Sequence, residues 1–175
     1  MIRNATLDDL DRIDEMAVYT IHDMALSNIP QWTITYPRKE HYQKDVENKQ
    51  LFVCEIDGVI RGAIVICPEE DPPYETIDGW FTAHGDSLVI HRAIVDPFYR
   101  NHGVAQEMLD YAIMLGHQQG YQSIKIDTHH DNYKMRQFLE KNQFNYIGYL
   151  AIINREAYER LLEDTDEDII NRMEK

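Results

Sequence analysis

One stretch restricts the fold of this chain more than any other: Val89–Ala112, VIHRAIVDPFYRNHGVAQEMLDYA. Val89–Val95 is apolar and β-branched around His91 and Arg92, the pattern of a strand. Asp96-Pro97 ends that strand, because proline has no N–H for the ladder. After the polar turn Arg100-Asn101-His102-Gly103, residues Val104, Met108, Ala112 and Leu115 recur at helical spacing, with Ala105, Leu109 and Ile113 beside them. The chain must therefore pass from a buried strand through a tight turn into a helix. The first N–H groups of a helix lack internal partners, and its dipole places about half a positive charge there. A phosphate or diphosphate fits such an end. Gly103 admits close approach to the backbone, and Arg100 can add a charge-assisted contact. The same pattern is also that of an ordinary strand–turn–helix junction.

The rest of the sequence reads as interleaved helices and strands. Ile2–Ala5 is a short strand, and Thr6 with Asp9 forms a capping-box pattern before a helix running to about Ala25. Residues 27–37 are irregular and aromatic, and a second helix spans Arg38–Asn48 with Tyr42 and Val46 inward. Leu51–Ile56 and Val59–Cys67 are strands joined by Asp57-Gly58, a type I′ hairpin turn, with Gly62 marking a bulge. Pro68–Gly85 is a long acidic loop in which Tyr74, Trp80 and Phe81 argue for packing. The central helix ends near Gly120, Ser123–Thr128 is a strand, Tyr133–Asn142 a helix, and Phe144–Ile153 a last strand or strand pair. Tyr158, Leu161 and Leu162 predict an amphipathic helix over Arg155–Asp164, followed by a charged tail. The pattern is α/β or α+β around a mixed sheet. With 175 residues and no repeat or linker, it predicts one domain over residues 1–175, ending in a helical, acidic extension from 155.

A net charge of −14 disfavours nucleic acid and anionic membranes as partners, since both demand a positive surface. It suits a cationic acceptor, and equally serves solubility. No apolar run reaches the roughly 18–20 residues that span a bilayer, and no apolar signal core follows Met1, so the expectation is a cytoplasmic protein. Cys54 and Cys67 read as small buried hydrophobes. His129-His130-Asp131 has no metal-ligand spacing, so no metal is expected.

Arg100-x-x-Gly103-x-Ala105 resembles the (Arg/Gln)-x-x-Gly-x-(Gly/Ala) signature of the GNAT superfamily of acyl-CoA-dependent N-acyltransferases. Ile90–Pro97 resembles that family's fourth strand, and Ile124–Thr128, Asn132 and Phe138-Leu139-Glu140-Lys141 its fifth strand and following helix. The resemblance spans roughly Ile2 to Ile153. It implies a mostly antiparallel sheet splayed at strands 4 and 5, with acetyl-CoA as cofactor. The backbone at Ile94 and Val95 would pair with the pantetheine arm. Main-chain N–H groups of Arg100, Asn101, His102, Gly103, Val104, Ala105 and Gln106 would hold the diphosphate. Asn132 would contact the arm, or serve as a helix N-cap.

The implied reaction is attack of a primary amine, of a small molecule or a protein, on the acetyl thioester. An alkyl ammonium with pKa near 10.4 is neutral only about once in several thousand molecules at pH 7, so a base must take its proton. Some members carry a Glu early on strand 4; here Val89 stands there. His91, two residues on, shares its face, and histidine as a residue type suits a base at neutral pH, or His91 is a packed sheet residue. Many members donate a proton from a Tyr on the helix after strand 5. That position is Leu139, which leaves Tyr133, Tyr149, water or positioning alone. Trp32, Tyr36 and Trp80 are candidate walls of the acceptor site, or plugs of the core. Pairing of two copies through the last strands is a further expectation. The rival readings are a non-catalytic acyl-CoA sensor and an interaction module with a vestigial cofactor site.

Overall fold

The computed structural model describes residues 1–174. Lys175, the last residue of the expected extension, lies outside the described residues. Two compact units account for the chain: Met1–Ile66 with His91–Tyr111, and Cys67–Ile90 with the residues from Ala112 onward. Among the described residues seven strands, β1 (Ile2–Asn4), β2 (Leu51–Ile56), β3 (Val59–Cys67), β4 (Ser87–Val95), β5 (Ser123–Thr128), β6 (Asn145–Leu150) and β7 (Arg155–Leu161), form a sheet in the order β1-β2-β3-β4-β5-β7-β6. Parallel pairing occurs between β4 and β5, and the β1–β2, β2–β3, β5–β7 and β6–β7 pairs are antiparallel.

In the first unit, β1 (Ile2–Asn4) pairs with β2 (Leu51–Ile56), which pairs with β3 (Val59–Cys67). Asp57 (φ 51°) and Gly58 (φ 74°) both take the left-handed conformation that a type I′ turn requires. The register slips where Cys54 faces Gly62 and Glu55 faces Ile60, so Arg61 is the extra residue of a bulge beside the glycine. Thr6 N–H donates to the Asp9 carboxylate (2.7 Å), closing the capping box before α1 (Leu10–Leu26). Helix α2 is Lys39–Glu47. Leu10, Ile13, Met16 and Ala17 of α1, Tyr42 of α2, Leu51 and Val53 of β2, Ala63 and Val65 of β3 and Ile94 form one core.

Gly62 is what lets the next helix settle. A Cβ at Gly62 would stand 2.7 Å from Val104 Cγ1 and 2.9 Å from Met108 Sδ. Gly62→Ala therefore overpacks the contact that seats the start of that helix. The expected cost is about 1–3 kcal/mol, read as a lower Tm.

In the second unit, Ser87–Ile90 of β4 (Ser87–Val95) pairs in parallel with Ser123–Ile126 of β5 (Ser123–Thr128). Strand β6 is Asn145–Leu150. Arg155–Leu161 is a strand, β7, inserted between β5 and β6; the helix expected over Arg155–Asp164 is corrected. The apolar spacing of Tyr158, Leu161 and Leu162 imitates a helix face, but the charged residues between them are buried. Glu156 meets Arg136 (2.9 Å), Arg160 meets Asp166, and Glu159 accepts from Thr82 Oγ1 (2.7 Å) and Ser123 Oγ (2.6 Å). Polar residues paired in this way fit a strand covered on both faces, where alternation vanishes. Of the expected helical extension, only Glu167–Met173 (α5) is α-helical, after a 3-10 turn at Asp164–Asp166.

The acidic loop is fastened along one face of β5. Alternate residues of a strand share a face, and here each holds the loop. Ser123 bonds Thr82 (2.8 Å), Lys125 bonds Glu70 (2.8 Å), and Asp127 accepts from Tyr74 (2.8 Å). Pro72–Thr76 is a 3-10 turn within the loop. Tyr74 and Trp80 pack as expected, whereas Phe81 is half exposed.

Candidate functional site

Strand β4 changes character midway. Arg92 has φ 46°, a left-handed conformation rare for a side-chain-bearing residue inside a strand. Its cost is compensated by what its guanidinium holds. Nε and Nη2 donate to both Asp45 carboxylate oxygens (2.9 and 2.6 Å), and Nη1 donates to the Tyr36 hydroxyl (2.8 Å). Burial pulls the Arg92 guanidinium down, but Asp45 and Tyr36 outweigh it and hold its pKa above the ordinary value. Beyond Arg92, Ile94 packs into the core while Val95 is half-buried, which leaves the backbone of this segment as its usable chemistry.

The strand ends at Asp96. Its carboxylate caps the 3-10 turn Pro97–Tyr99 by accepting Phe98 N–H (3.0 Å), and it accepts from Arg61 (2.8 Å) and Arg12 (2.5 Å). Burial pushes the Asp96 carboxyl up, yet the Phe98 N–H and the two guanidiniums prevail and hold it below its usual range. Arg61 lies 4.3 Å from the Tyr99 ring centroid, and Tyr99 stacks on His102 at 4.1 Å. His102 Nδ1 is 2.8 Å from the Arg100 carbonyl. The turn is thus braced from behind by side chains.

Its front is backbone. Asn101 (φ 64°) and Gly103 (φ 81°) are both left-handed, and all of Asn101–Gly103 is exposed. A Cβ built on Gly103 meets nothing within 4 Å. The Gly103 carbonyl accepts Glu107 N–H (2.9 Å), so Gly103 is the residue at which helix α3 (Val104–Gln119) begins. The first-turn N–H groups of a helix have no intrahelical acceptor, an arrangement suited to an anion. Gln106 turns its side chain along the helix to Asp110 (3.0 Å). Arg100 is held by Asp23 (2.7 Å), but both side chains are about two-fifths exposed (41% and 44%). Such a pair is worth less than about 1 kcal/mol, so a diphosphate can recruit Arg100.

The first unit also contains His91, half-buried, and two of the acceptor candidates. Trp32 lies in the core cluster, whereas Tyr36 is 38% exposed with its ring edge-on to His41 (4.8 Å). The other candidates belong to the second unit. Asn132 caps α4 (Tyr133–Lys141), its Oδ1 accepting Met135 N–H (3.3 Å). Tyr133 is exposed and accepts from Gln137 (2.6 Å). Trp80 donates from Nε1 to the Tyr74 carbonyl (2.9 Å) and stacks on that ring. Leu139 is buried and apolar. His129 and His130 hydrogen-bond Asn154 (3.1 Å) and Glu156 (2.6 Å) respectively.

Sequence reasoning missed the Asp45–Arg92–Tyr36 cluster. The only signal for it was a lone arginine inside an otherwise apolar strand.

The profile of the acetyltransferase (GNAT) family matches residues 17–144. Among solved structures, an assigned acetyltransferase of Staphylococcus aureus Mu50 is 26% identical, with a TM-score of 0.72 over 93% of this chain and 99% of that one. A GNAT-family acetyltransferase of Streptococcus agalactiae 2603 is 24% identical, with a TM-score of 0.82 over 94% and 96%. The ribosomal-protein-alanine N-acetyltransferase of Brucella melitensis is 18% identical, with a TM-score of 0.66 over 93% and 99%. No match to a curated protein was found. With the family profile covering most of its length, and with the β4–turn–α3 element built as described, this chain belongs to the GNAT family of acetyltransferases.

Proposed function

We propose that the protein is an acetyl-CoA-dependent N-acetyltransferase, one domain over residues 1–175, that acetylates a primary amine of a small molecule or a protein. The observation that carries this reading is Gly103: left-handed, at the start of α3, with open space where a side chain would stand. The donor set fits a diphosphate. The main chain of Arg100–Gln106 would hold it, with Arg100 released from Asp23. The backbone of Ile94 and Val95 would pair with the pantetheine arm. Acetyl-CoA, when bound, supplies an activated acetyl group as a thioester.

The chain's own residues then have two tasks. His91 takes the proton that the amine sheds as it attacks; Trp32 and Tyr36 form part of the acceptor's surroundings. Tyr133 stands as a second candidate for proton handling. A cytoplasmic location, pairing of two copies, and the absence of nucleic-acid or membrane partners belong to the same reading. Among the described residues no helix is long and apolar enough to cross a membrane.

One observation favours a second reading. The position where relatives carry a tyrosine is Leu139, 1% exposed and without a proton to give, as expected of an acyl-CoA sensor. One experiment separates the two. Acetyl-CoA at about 100 times its Kd should raise the Tm by about 5–10 °C under both. Thiol release across a panel of primary amines should rise above the protein-free rate only if the protein is an enzyme, and His91→Gln should lower that release about 100-fold. No Tm shift and no thiol release would remove both readings.

A further inference from the structure

The tyrosines expected to replace the missing donor are poorly arranged for it. Tyr149 gives its proton to Asn154 Oδ1 (2.7 Å). Tyr133 is 62% exposed, and its hydroxyl is met by the exposed Gln137 amide rather than by a fixed charge. Tyr74 and Tyr158 are buried and donate to Asp127 (2.8 Å) and Glu156 (3.1 Å). Tyr42 is wholly buried.

Tyr36 is arranged differently. Its hydroxyl oxygen accepts from Arg92 Nη1, so its own O–H is directed away from the guanidinium. Arg92 cannot swing, because Asp45, itself 4% exposed, grips the other two nitrogens. Arg92 also sits on β4 two residues before Ile94, and its left-handed backbone sets where the side chain leaves the strand. Tyr36 as a residue remains 38% exposed, and its hydroxyl is anchored by Arg92. This constellation lies wholly within the first unit, with the turn that carries Gly103.

We propose that Tyr36 is the hydrogen-bond donor to the sulfur of coenzyme A, and that Arg92, clamped by Asp45, is the residue that aims it. The proposal rests on the acetyl-CoA reading above and deepens it. A phenol of ordinary pKa near 10 is a weaker acid than a thiol near 8.5. A hydrogen bond donated by the Tyr36 hydroxyl stabilises sulfur as negative charge gathers there. Solvent supplies the proton that completes the thiol. No general acid is then needed at Leu139.

The test does not depend on the acceptor. Affinities of coenzyme A and of desulfo-coenzyme A, which lacks the thiol, are measured at about pH 9, where an ordinary thiol is mostly ionised. The thiolate absorbance of bound coenzyme A is titrated alongside. Tyr36→Phe should weaken coenzyme A binding about tenfold or more and raise the bound thiol's pKa by about one unit, leaving desulfo-coenzyme A unchanged. Arg92→Lys keeps the charge but loses the fork, and should raise the thiol pKa similarly. Unaltered thiol pKa in Tyr36→Phe, or a shift seen in Tyr133→Phe instead, overturns the assignment. An unaltered value in Arg92→Lys alone removes the positioning role. If the wild type binds neither ligand, the coenzyme reading fails and this inference fails with it.

Discussion

Gly103→Glu should abolish the response to acetyl-CoA while leaving the protein folded. Two effects act at once. The residue holds φ 81°, which costs a side-chain-bearing residue about 1–2 kcal/mol. That is a tolerable loss, because the Cβ itself meets nothing within 4 Å. The new carboxylate, however, stands at the first turn of α3, where the unpaired N–H groups and the helix dipole now attract it instead of a phosphate. Repulsion between the carboxylate and a diphosphate adds to the steric block. The expected result is a loss of at least about 100-fold in affinity, since several charge-assisted hydrogen bonds are forfeited together. Thermal unfolding reads both parts: a Tm lowered by a few degrees, and no further rise on adding acetyl-CoA. Gly103→Ala separates them, because it carries the same backbone strain without the charge and should retain part of the response. A normal response in Gly103→Glu would place the diphosphate elsewhere.

The strand–turn–helix junction that would hold the diphosphate was legible in the sequence because its parts are consecutive. Strand, proline stop, left-handed glycine and helix follow one another within Val89–Ala112, and the chemistry lies in the backbone they shape. The helices α1 to α4 and strands β2 and β3 were legible for a similar reason, each having its own local periodicity or turn. Strand β7 was not. Its charged residues are buried against partners far away in the chain, Glu159 against Thr82 and Glu156 against Arg136 and His130. No local pattern reports such pairing, and the residual apolar spacing pointed to a helix. The same limit hid Asp45–Arg92–Tyr36, whose members are separated by 47 and 56 residues. Trp80 illustrates the ambiguity of aromatic residues. Its place in the long acidic loop suggested recognition, while its contacts with Tyr74 and Lys125 show that it fastens that loop to β5.

Lys125 is the centre of that fastening, and Lys125→Met should destabilise the fold more than either Gly62→Ala or Gly103→Glu. The ammonium and the Glu70 carboxylate are 1% and 4% exposed, joined at 2.8 Å. Ser87 Oγ also donates to Glu70 (2.8 Å), and the Lys125 Nζ lies 4.6 Å from the Trp80 ring centroid. Methionine fills similar volume, so the loss is electrostatic: Glu70 remains buried without its ammonium partner, beside only Ser87 Oγ and the exposed His84 ring (3.2 Å). Breaking such a pair costs about 3–5 kcal/mol, a Tm fall on the order of 10 °C for a chain of this size. Replacing both partners, Glu70→Leu with Lys125→Met, removes the stranded charge and should recover most of the loss. The pH dependence has a definite sign. In the wild type, burial raises the Glu70 pKa, but Lys125 and Ser87 outweigh it and hold the carboxyl below its ordinary value. Its ionised form therefore contributes stability above about pH 4.3, lost as pH falls through the lowered pKa. In Lys125→Met the Ser87 and His84 hydrogen bonds remain but the largest opposing effect to burial is gone, so the Glu70 pKa rises relative to wild type and protonating Glu70 relieves the variant. The stability gap between wild type and variant should be widest near pH 7, narrow as pH falls into the acid range, and close only below the lowered pKa of wild-type Glu70. Denaturant unfolding at several pH values measures that gap; one that stays constant would mean that Lys125 acts through packing alone, with no contribution from its charge.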